Sequence, residues 1–519
     1  MSPTGPAHES LVVEELPWES GAVRSSIEAI LKWGIDAPDA PALVQGTTTL
    51  SFGAMRSAIL GAAEVLAQEH GVVKGSSVAL MPRTDVDSVI AGLAAQAVGA
   101  VLVLIDPQTG PDELLVILSQ CDVALVVAGP PEAAAKVVSV RVVAVGDIVR
   151  FDRGPSAEAS TPLFVDQSWD APAAVLNSSG TTGAPKSIRL SLRAVTANNH
   201  SVKTMLELTP NDVMVSPIQM GSAMAFVSTT MSALYAGSSV VLLPHFRPGD
   251  LCKLIDDHSV TTMLVVPAML EMILSYEGRD QCSLSSLRGV WTGGAGVRVA
   301  TTERFEAEFG VPVLGTFGMA ELSVASLDLP SIRKPGSAGI SAAGFEFAAA
   351  NDDGQILPNG ETGEIVGRGP TMMDLYIGQP ELTAQTIDSN GWLHTGDLGH
   401  VDGDGHLWIT GRKKDVIIRG GANVAPAHLE EIAVGHPGIA SAAALGIPDD
   451  VLGERIRLCV VSMDPELTEE TVLAHCRENL SSIYVPDQIR FVDAFPLGRT
   501  GKVQREELRL RTDKIEGSD

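Results

Sequence analysis

Three short apolar runs separated by helical stretches constrain this chain more than any other feature. Ser77 to Met81 reads as a buried strand, as does Val123 to Val127, and the most apolar run in the chain, Val89 to Ile105, lies between them. That run carries Gly92, Gln96 and Gly99 and is short for a membrane span, so it reads as a buried helix up to Ala100 followed by a strand from Val101 to Ile105. Leu114 to Gln120 supplies another helix, and Ala54 to Glu69 has helical periodicity with good helix formers. Strand, helix, strand in succession forces parallel pairing through helical crossovers, which predicts an α/β fold.

Further along, the texture changes. Asp352-Asp353-Gly354, Pro358-Asn359-Gly360 and Asp402-Gly403-Asp404-Gly405 are turn signals between apolar segments, so residues 351–369 and their surroundings predict antiparallel hairpins. Gly154 to Thr161 reads as a loop. From Asp415 onward the pattern is that of a separate small unit. Its strands are expected at 416–418, 442–447 and 457–463, and its helices at 426–434 and 469–479. With 519 residues the chain exceeds one core. The expected fold is a large, multi-subdomain N-terminal α/β domain over 1–411, a hinge at 412–414 and a small, mobile C-terminal α+β domain over 415–519.

The net charge of −27 argues against nucleic acid or an anionic membrane surface as a partner, but leaves room for a small anion held by local donors. The five cysteines form no CxxC pair, which predicts neither zinc nor a disulfide framework. Together with an acidic N-terminus that lacks an apolar signal core, this points to a reducing cytosol and a cytoplasmic protein.

The densest chemistry lies in Asn177-Ser178-Ser179-Gly180-Thr181-Thr182-Gly183-Ala184-Pro185-Lys186. Small residues let backbone N–H groups approach an anion, hydroxyls add donors, and Lys186 supplies charge: the makings of a loop that closes over a polyphosphate. The Walker A spacing is absent. The loop resembles that of the adenylate-forming superfamily, which includes acyl-CoA synthetases, peptide-synthetase adenylation domains and firefly luciferase. Four further segments resemble the family in order: Gly293-Gly294-Ala295, Phe317-Gly318-Met319-Ala320-Glu321, Gly391 to Asp397 leading into Gly411 to Asp415, and Gly498-Arg499-Thr500-Gly501-Lys502. Ser51 to Pro107 looks like the family's early helix-strand region. The likeness leaves out only about the first twenty-five and last ten residues.

The resemblance implies an acid–thiol ligase: a carboxylate is activated by ATP as an acyl-adenylate, and the acyl group then passes to the CoA thiol. Lys502 would contact the carboxylate and the α-phosphate, and Glu321 would hold Mg2+, since a hard cation takes carboxylate oxygen. Asp397 would accept from the ribose hydroxyls, with Arg412 as a second ribose contact. Gly293, Gly294 and Ala295 suit close approach to adenine; Phe317 offers a stacking ring beside Gly318; His394 reads as structural. Lys414 aligns with the family's hinge position. Arg419, Gly420 and Gly421 resemble the segment that lines a pantetheine tunnel.

Gln219 to Phe226 corresponds to the acyl pocket, formed by Met220, Gly221 and Met224 with Gly315 and Met319. Met224 stands where amino-acid-activating domains place an aspartate, and no carboxylate lies nearby. An α-ammonium would be buried unpaired, so the expected substrate is a bulky apolar acid without an α-amine. Three departures touch the first half-reaction: Met220 replaces a frequent histidine, Ala320 a threonine, and Ser187 a glycine. They leave room for an enzyme that only thioesterifies an acyl-AMP made elsewhere. The same residues are compatible with an acyl-AMP ligase loading a carrier-protein phosphopantetheine, with luciferase-like oxidation, and with a catalytically dead binding protein. The expected setting is secondary or lipid metabolism, including natural product biosynthesis.

Overall fold

The computed structural model describes residues 25–129, 140–151, 167–178, 185–497 and 503–516. It has a large N-terminal domain of mixed α/β structure and a small C-terminal domain. The first sheet has seven strands, ordered Leu375–Tyr376, Lys186–Ser191, Pro172–Ser178, Val101–Leu104, Ser77–Met81, Val123–Ala128 and Arg141–Ala144. Ser77–Met81 pairs in parallel with both Val101–Leu104 and Val123–Ala128, as the strand–helix–strand pattern requires. The intervening helix, Val86–Ala97, starts where the Asp85 carboxylate accepts from the Ser88 N–H. It stops three residues before the predicted end because Gly99 turns left-handed, at φ +80°. Helix Phe52–Gln68 starts two residues earlier than its apolar periodicity indicates, because Ser51 caps it by accepting from Ala54 N–H.

A nine-stranded sheet continues the domain, with Val213–Ser216, Thr262–Val265, Gly289–Thr292 and Val313–Met319 among its strands. Val313–Met319 then folds back in antiparallel fashion onto Ser323–Leu327. The predicted hairpin region forms a four-stranded antiparallel sheet: Glu346–Ala350, Gly363–Arg368, Leu393–Val401 and Leu407–Arg412. The main core lies between the layers and is largely aliphatic and alanine, with Phe52 and Phe226 fully buried in it. The small domain has its own sheet and core, with Ile417, Leu429, Ile456 and Val472 at its centre. Two of its helices, Pro426–Val434 and Glu469–Asn479, lie where the sequence pattern places them, and a third, Arg505–Glu516, is additional to those expected. Among the described residues no helix is long and apolar enough to cross a membrane.

One expectation from the cysteines is overturned. Cys252, on helix Pro248–His258, and Cys282 form a disulfide with Cα atoms 5.2 Å apart. Thirty residues of sequence separate them, so spacing motifs miss a pair that only the packing of strand Thr262–Val265 and helix Pro267–Leu274 brings together. The part of the case for a reducing compartment that rested on the cysteines loses its support. Closing a loop of this length restricts the unfolded chain by about 3–4 kcal/mol. Reductant is therefore expected to lower the urea midpoint of the native protein and to leave that of Cys252→Ser unchanged.

Asp328, just past strand Ser323–Leu327, is buried at 2% exposure, and its backbone carbonyl accepts from Trp291 Nε1. Burial pushes its carboxyl from 3.8 up to about 7. The folded state therefore holds a proton that the unfolded chain releases. Stability from this group is complete below about pH 4 and is lost as pH rises towards 7, by at most about 1.4 kcal/mol per pH unit. Asp328→Asn should remove that component from the pH dependence of the urea midpoint.

Candidate active site

The site is built where short strands meet at the edge of the seven-stranded sheet. Pro172–Ser178 and Lys186–Ser191 pair in antiparallel fashion, with Ser178 opposite Lys186 and Asn177 opposite Ser187. They carry the predicted phosphate loop. Of that loop, Ser179, Gly180, Thr181, Thr182 and Gly183 lie outside the described residues, as does Lys502. Next to the hairpin, Leu375–Tyr376 adds an outer strand, with Tyr376 opposite Ile188. Asp374 and Arg189 reinforce this junction with a 3.2 Å ion pair.

Tyr376 joins two residues that the sequence motifs identify separately. Its hydroxyl donates to Glu321 Oε1 at 2.8 Å, and Lys186 Nζ lies 5.2 Å from its ring centroid. Burial and the neighbouring Glu321 carboxylate push the phenol well above its usual value, so it remains a donor. Glu321 is itself buried, at 7% exposure. It sits in the turn between Val313–Met319 and Ser323–Leu327, and its carbonyl accepts from Met373 N–H. Tyr376 is the residue the motifs missed. Its only signal is scarcity, as one of four tyrosines.

Glu321 suits a Mg2+ that arrives with a nucleotide. One carboxylate oxygen is held by Tyr376, and the other has no hydrogen-bond partner among the described residues. No cluster of three or more His, Cys, Asp or Glu residues able to cage a metal occurs among the described residues. A single carboxylate completed by phosphate oxygens and water is how Mg2+ is usually bound.

Gly293, Gly294 and Ala295 follow strand Gly289–Thr292. Gly294 has φ +80°, and a Cβ on it would lie 3.5 Å from Met224 Cε, so the predicted adenine segment and acyl pocket adjoin. Gly315 and Gly318 are required by packing: a Cβ would lie 2.0 Å from the Ser337 carbonyl oxygen or 2.2 Å from that of Ser323. Phe317 is half-buried, edge-on to Phe347 at 5.7 Å, and Met319 packs partly buried against the main core. Asp397 and Arg412 face each other across paired strands, joined at 2.8 Å from Nε to Oδ1. His394 lies beside Glu364, Nδ1 to Oε2 3.3 Å.

The pocket segment separates into two parts. Met224 opens a π-helical turn, Met224–Met231. Asn199 Nδ2 donates to the Val227 carbonyl at 2.7 Å and to Ser232 Oγ at 3.0 Å, taking up backbone that an α-helix would satisfy internally. A Cβ on Gly221 would lie 2.9 Å from both Asp106 Cα and the Pro107 ring Cδ, so this position has no room for a side chain. Met220, expected in the pocket, is instead a core residue at 1% exposure whose sulfur accepts from Thr230 Oγ1. Ser187 is likewise buried beneath the hairpin, 3.0 Å from Asn177 Oδ1 and 3.1 Å from Gln120 Oε1.

At the domain junction, Lys413 pairs with Asp352 and Glu364 of the large domain, whereas Asp415 pairs with Arg505 of the small one. Lys414 lies exposed between them. Arg419 is engaged within the small domain: its guanidinium donates to the Ile483 and Val485 carbonyls at 2.9 Å and pairs with Asp487. Gly420 and Gly421, at φ +58° and +83°, form the two-residue turn that joins Ile417–Arg419 to Ala422–Val424.

Residues 32–377 match the AMP-binding enzyme family, and residues 428–502 match the AMP-binding enzyme C-terminal domain. The chain is 32% identical to sulfoacetate–CoA ligase of Cupriavidus necator over 91% of its own length and 94% of that protein. It is 31% identical to feruloyl-CoA synthase of Amycolatopsis, over 92% and 96% respectively. The ATP-bound crystal structure of MatB from Rhodopseudomonas palustris superposes with a TM-score of 0.85 at 25% identity, covering 95% of this chain and all of that one. The hairpin of Pro172–Ser178 and Lys186–Ser191, the Glu321 turn and the Asp397–Arg412 pair thus stand in a chain that belongs to the AMP-binding enzymes, as an acid–thiol ligase.

Proposed function

We propose that this protein activates a bulky, apolar carboxylic acid lacking an α-amine and transfers its acyl group to CoA. The observation that carries this reading is the convergence of Lys186, Tyr376 and Glu321 at the sheet edge from which the phosphate loop leaves. In the first step a carboxylate oxygen attacks the α-phosphorus of ATP and pyrophosphate departs. Lys186 and Lys502 supply positive charge, and Asp397 orients the ribose. Glu321 would hold Mg2+, which when bound neutralises phosphate charge. In the second step the CoA thiolate attacks the acyl carbonyl and AMP departs, after the small domain turns about Lys414 and brings Gly420 and Gly421 to the thiol's path.

The acid is argued from the pocket, because relatives of nearly equal identity carry names as different as sulfoacetate and feruloyl. Residues 219–226 contain no cation to pair a sulfonate and no carboxylate to pair an ammonium. Burial of Met220 and Ser187 in the core removes two of the three reasons for expecting a defective first step, which supports a complete ligase.

The test is a split assay over a panel of bulky apolar acids. Each is offered as free acid with ATP, Mg2+ and CoA, and separately as its synthetic acyl-adenylate with CoA. Thioester from both routes is expected. Lys502→Ala should lose the first route by at least about 100-fold and keep the second. Thioester from the adenylate alone in the native protein would overturn the complete-ligase reading. Transfer to a phosphopantetheinyl carrier protein but not to CoA would overturn the acceptor.

A further inference from the structure

Tyr376 lies outside every motif that points to the chemistry, yet among the described residues it is the side chain that joins the loop lysine to Glu321. It is 3% exposed. Its backbone is fixed on both sides: the N–H donates to Thr383 Oγ1 at 3.0 Å, and the strand pairs with Leu375 opposite Arg189 and Tyr376 opposite Ile188. The ring can therefore adjust little, and its two faces of chemistry are both in use. The hydroxyl holds Glu321 Oε1 at 2.8 Å and leaves Oε2 for a ligand. The ring lies 5.2 Å from Lys186 Nζ, at the base of the phosphate-loop hairpin.

We propose that Tyr376 is a positioning residue with two separable duties. Its hydroxyl aims the Glu321 carboxylate at nucleotide-borne Mg2+, and its ring seats Lys186 for the phosphates. This rests on the reading of the site as one for Mg2+ and ATP. The two contacts use different parts of the side chain, so they come apart under substitution. Tyr376→Phe removes the hydroxyl and keeps the ring. Tyr376→Leu removes both.

The experiment measures ATP binding by calorimetry, with Mg2+ and with EDTA, on the full-length native protein and each variant, without any acid substrate. The ratio of the two dissociation constants is the gain in affinity due to Mg2+. The native protein is expected to show a gain of about ten-fold. Tyr376→Phe should reduce that gain to about three-fold or less while leaving metal-free ATP binding unchanged. Tyr376→Leu should reduce the gain equally and also weaken metal-free binding several-fold. Lys186→Met, which leaves the Tyr376–Glu321 bond in place, should weaken metal-free binding and preserve the gain; it serves as the second arm should either tyrosine variant fail to fold. A Tyr376→Phe protein with the native gain, or one that loses metal-free and Mg2+-dependent binding alike, overturns the proposal. So does a Lys186→Met protein that keeps native metal-free binding. If the native protein binds no ATP under either condition, the reading of the site fails first, and the proposal falls with it.

Discussion

Glu321→Gln is expected to lower pyrophosphate release from acid and ATP by about 10²–10³-fold, the scale of losing one preorganised charge at a phosphoryl centre. Glutamine keeps the volume and can still accept from Tyr376, so the fold is retained and the loss is read in the chemistry. Thioester formation from a supplied acyl-adenylate should change far less, because no pyrophosphate leaves in that step. Stopped-flow release of pyrophosphate, set beside the adenylate route, separates the two. An equal fall in both routes would show that Glu321 acts through structure alone.

Asp397→Ala is expected to raise the KM for ATP by about ten- to hundred-fold, the value of a hydrogen bond to a charged acceptor. The carboxylate is almost wholly buried, at 5% side-chain exposure, and one oxygen is already taken by Arg412. Its removal deletes the proposed ribose acceptor and leaves Arg412, at the end of strand Leu407–Arg412, without this partner. A change in the KM for ATP with the KM for acid and CoA unchanged places Asp397 at the nucleotide. A fall in the rate of acyl transfer with a native KM would instead assign the pair to the domain junction.

Both predictions depend on residues that were legible as motifs: Glu321 in a Phe-Gly-Met-Ala-Glu run and Asp397 in His-Thr-Gly-Asp. Local periodicity also reached part of the fold, since helix and strand repeats are written within a dozen residues. The strand Ser77–Met81 and the helices Pro426–Val434 and Glu469–Asn479 appear with their expected bounds. Helix ends shifted where caps decided them, at Ser51 and before Gly99. Departures from the motifs were harder to read. Ser187 and Met220 looked like losses at a reacting centre, but which way a side chain points depends on the neighbours packed around it.

Order and spacing along the chain therefore determined the fold class and the reaction type and marked the polar residues proposed to carry it, because those are properties of short segments. What the tertiary structure alone decided are contacts between segments far apart in sequence. Cys252 met Cys282, Asp397 met Arg412, and Tyr376 came between Lys186 and Glu321. None of these pairings has a local pattern. The Asp397–Arg412 pair follows from strand register, whereas the other two follow from how a helix, turns and a short edge strand pack together.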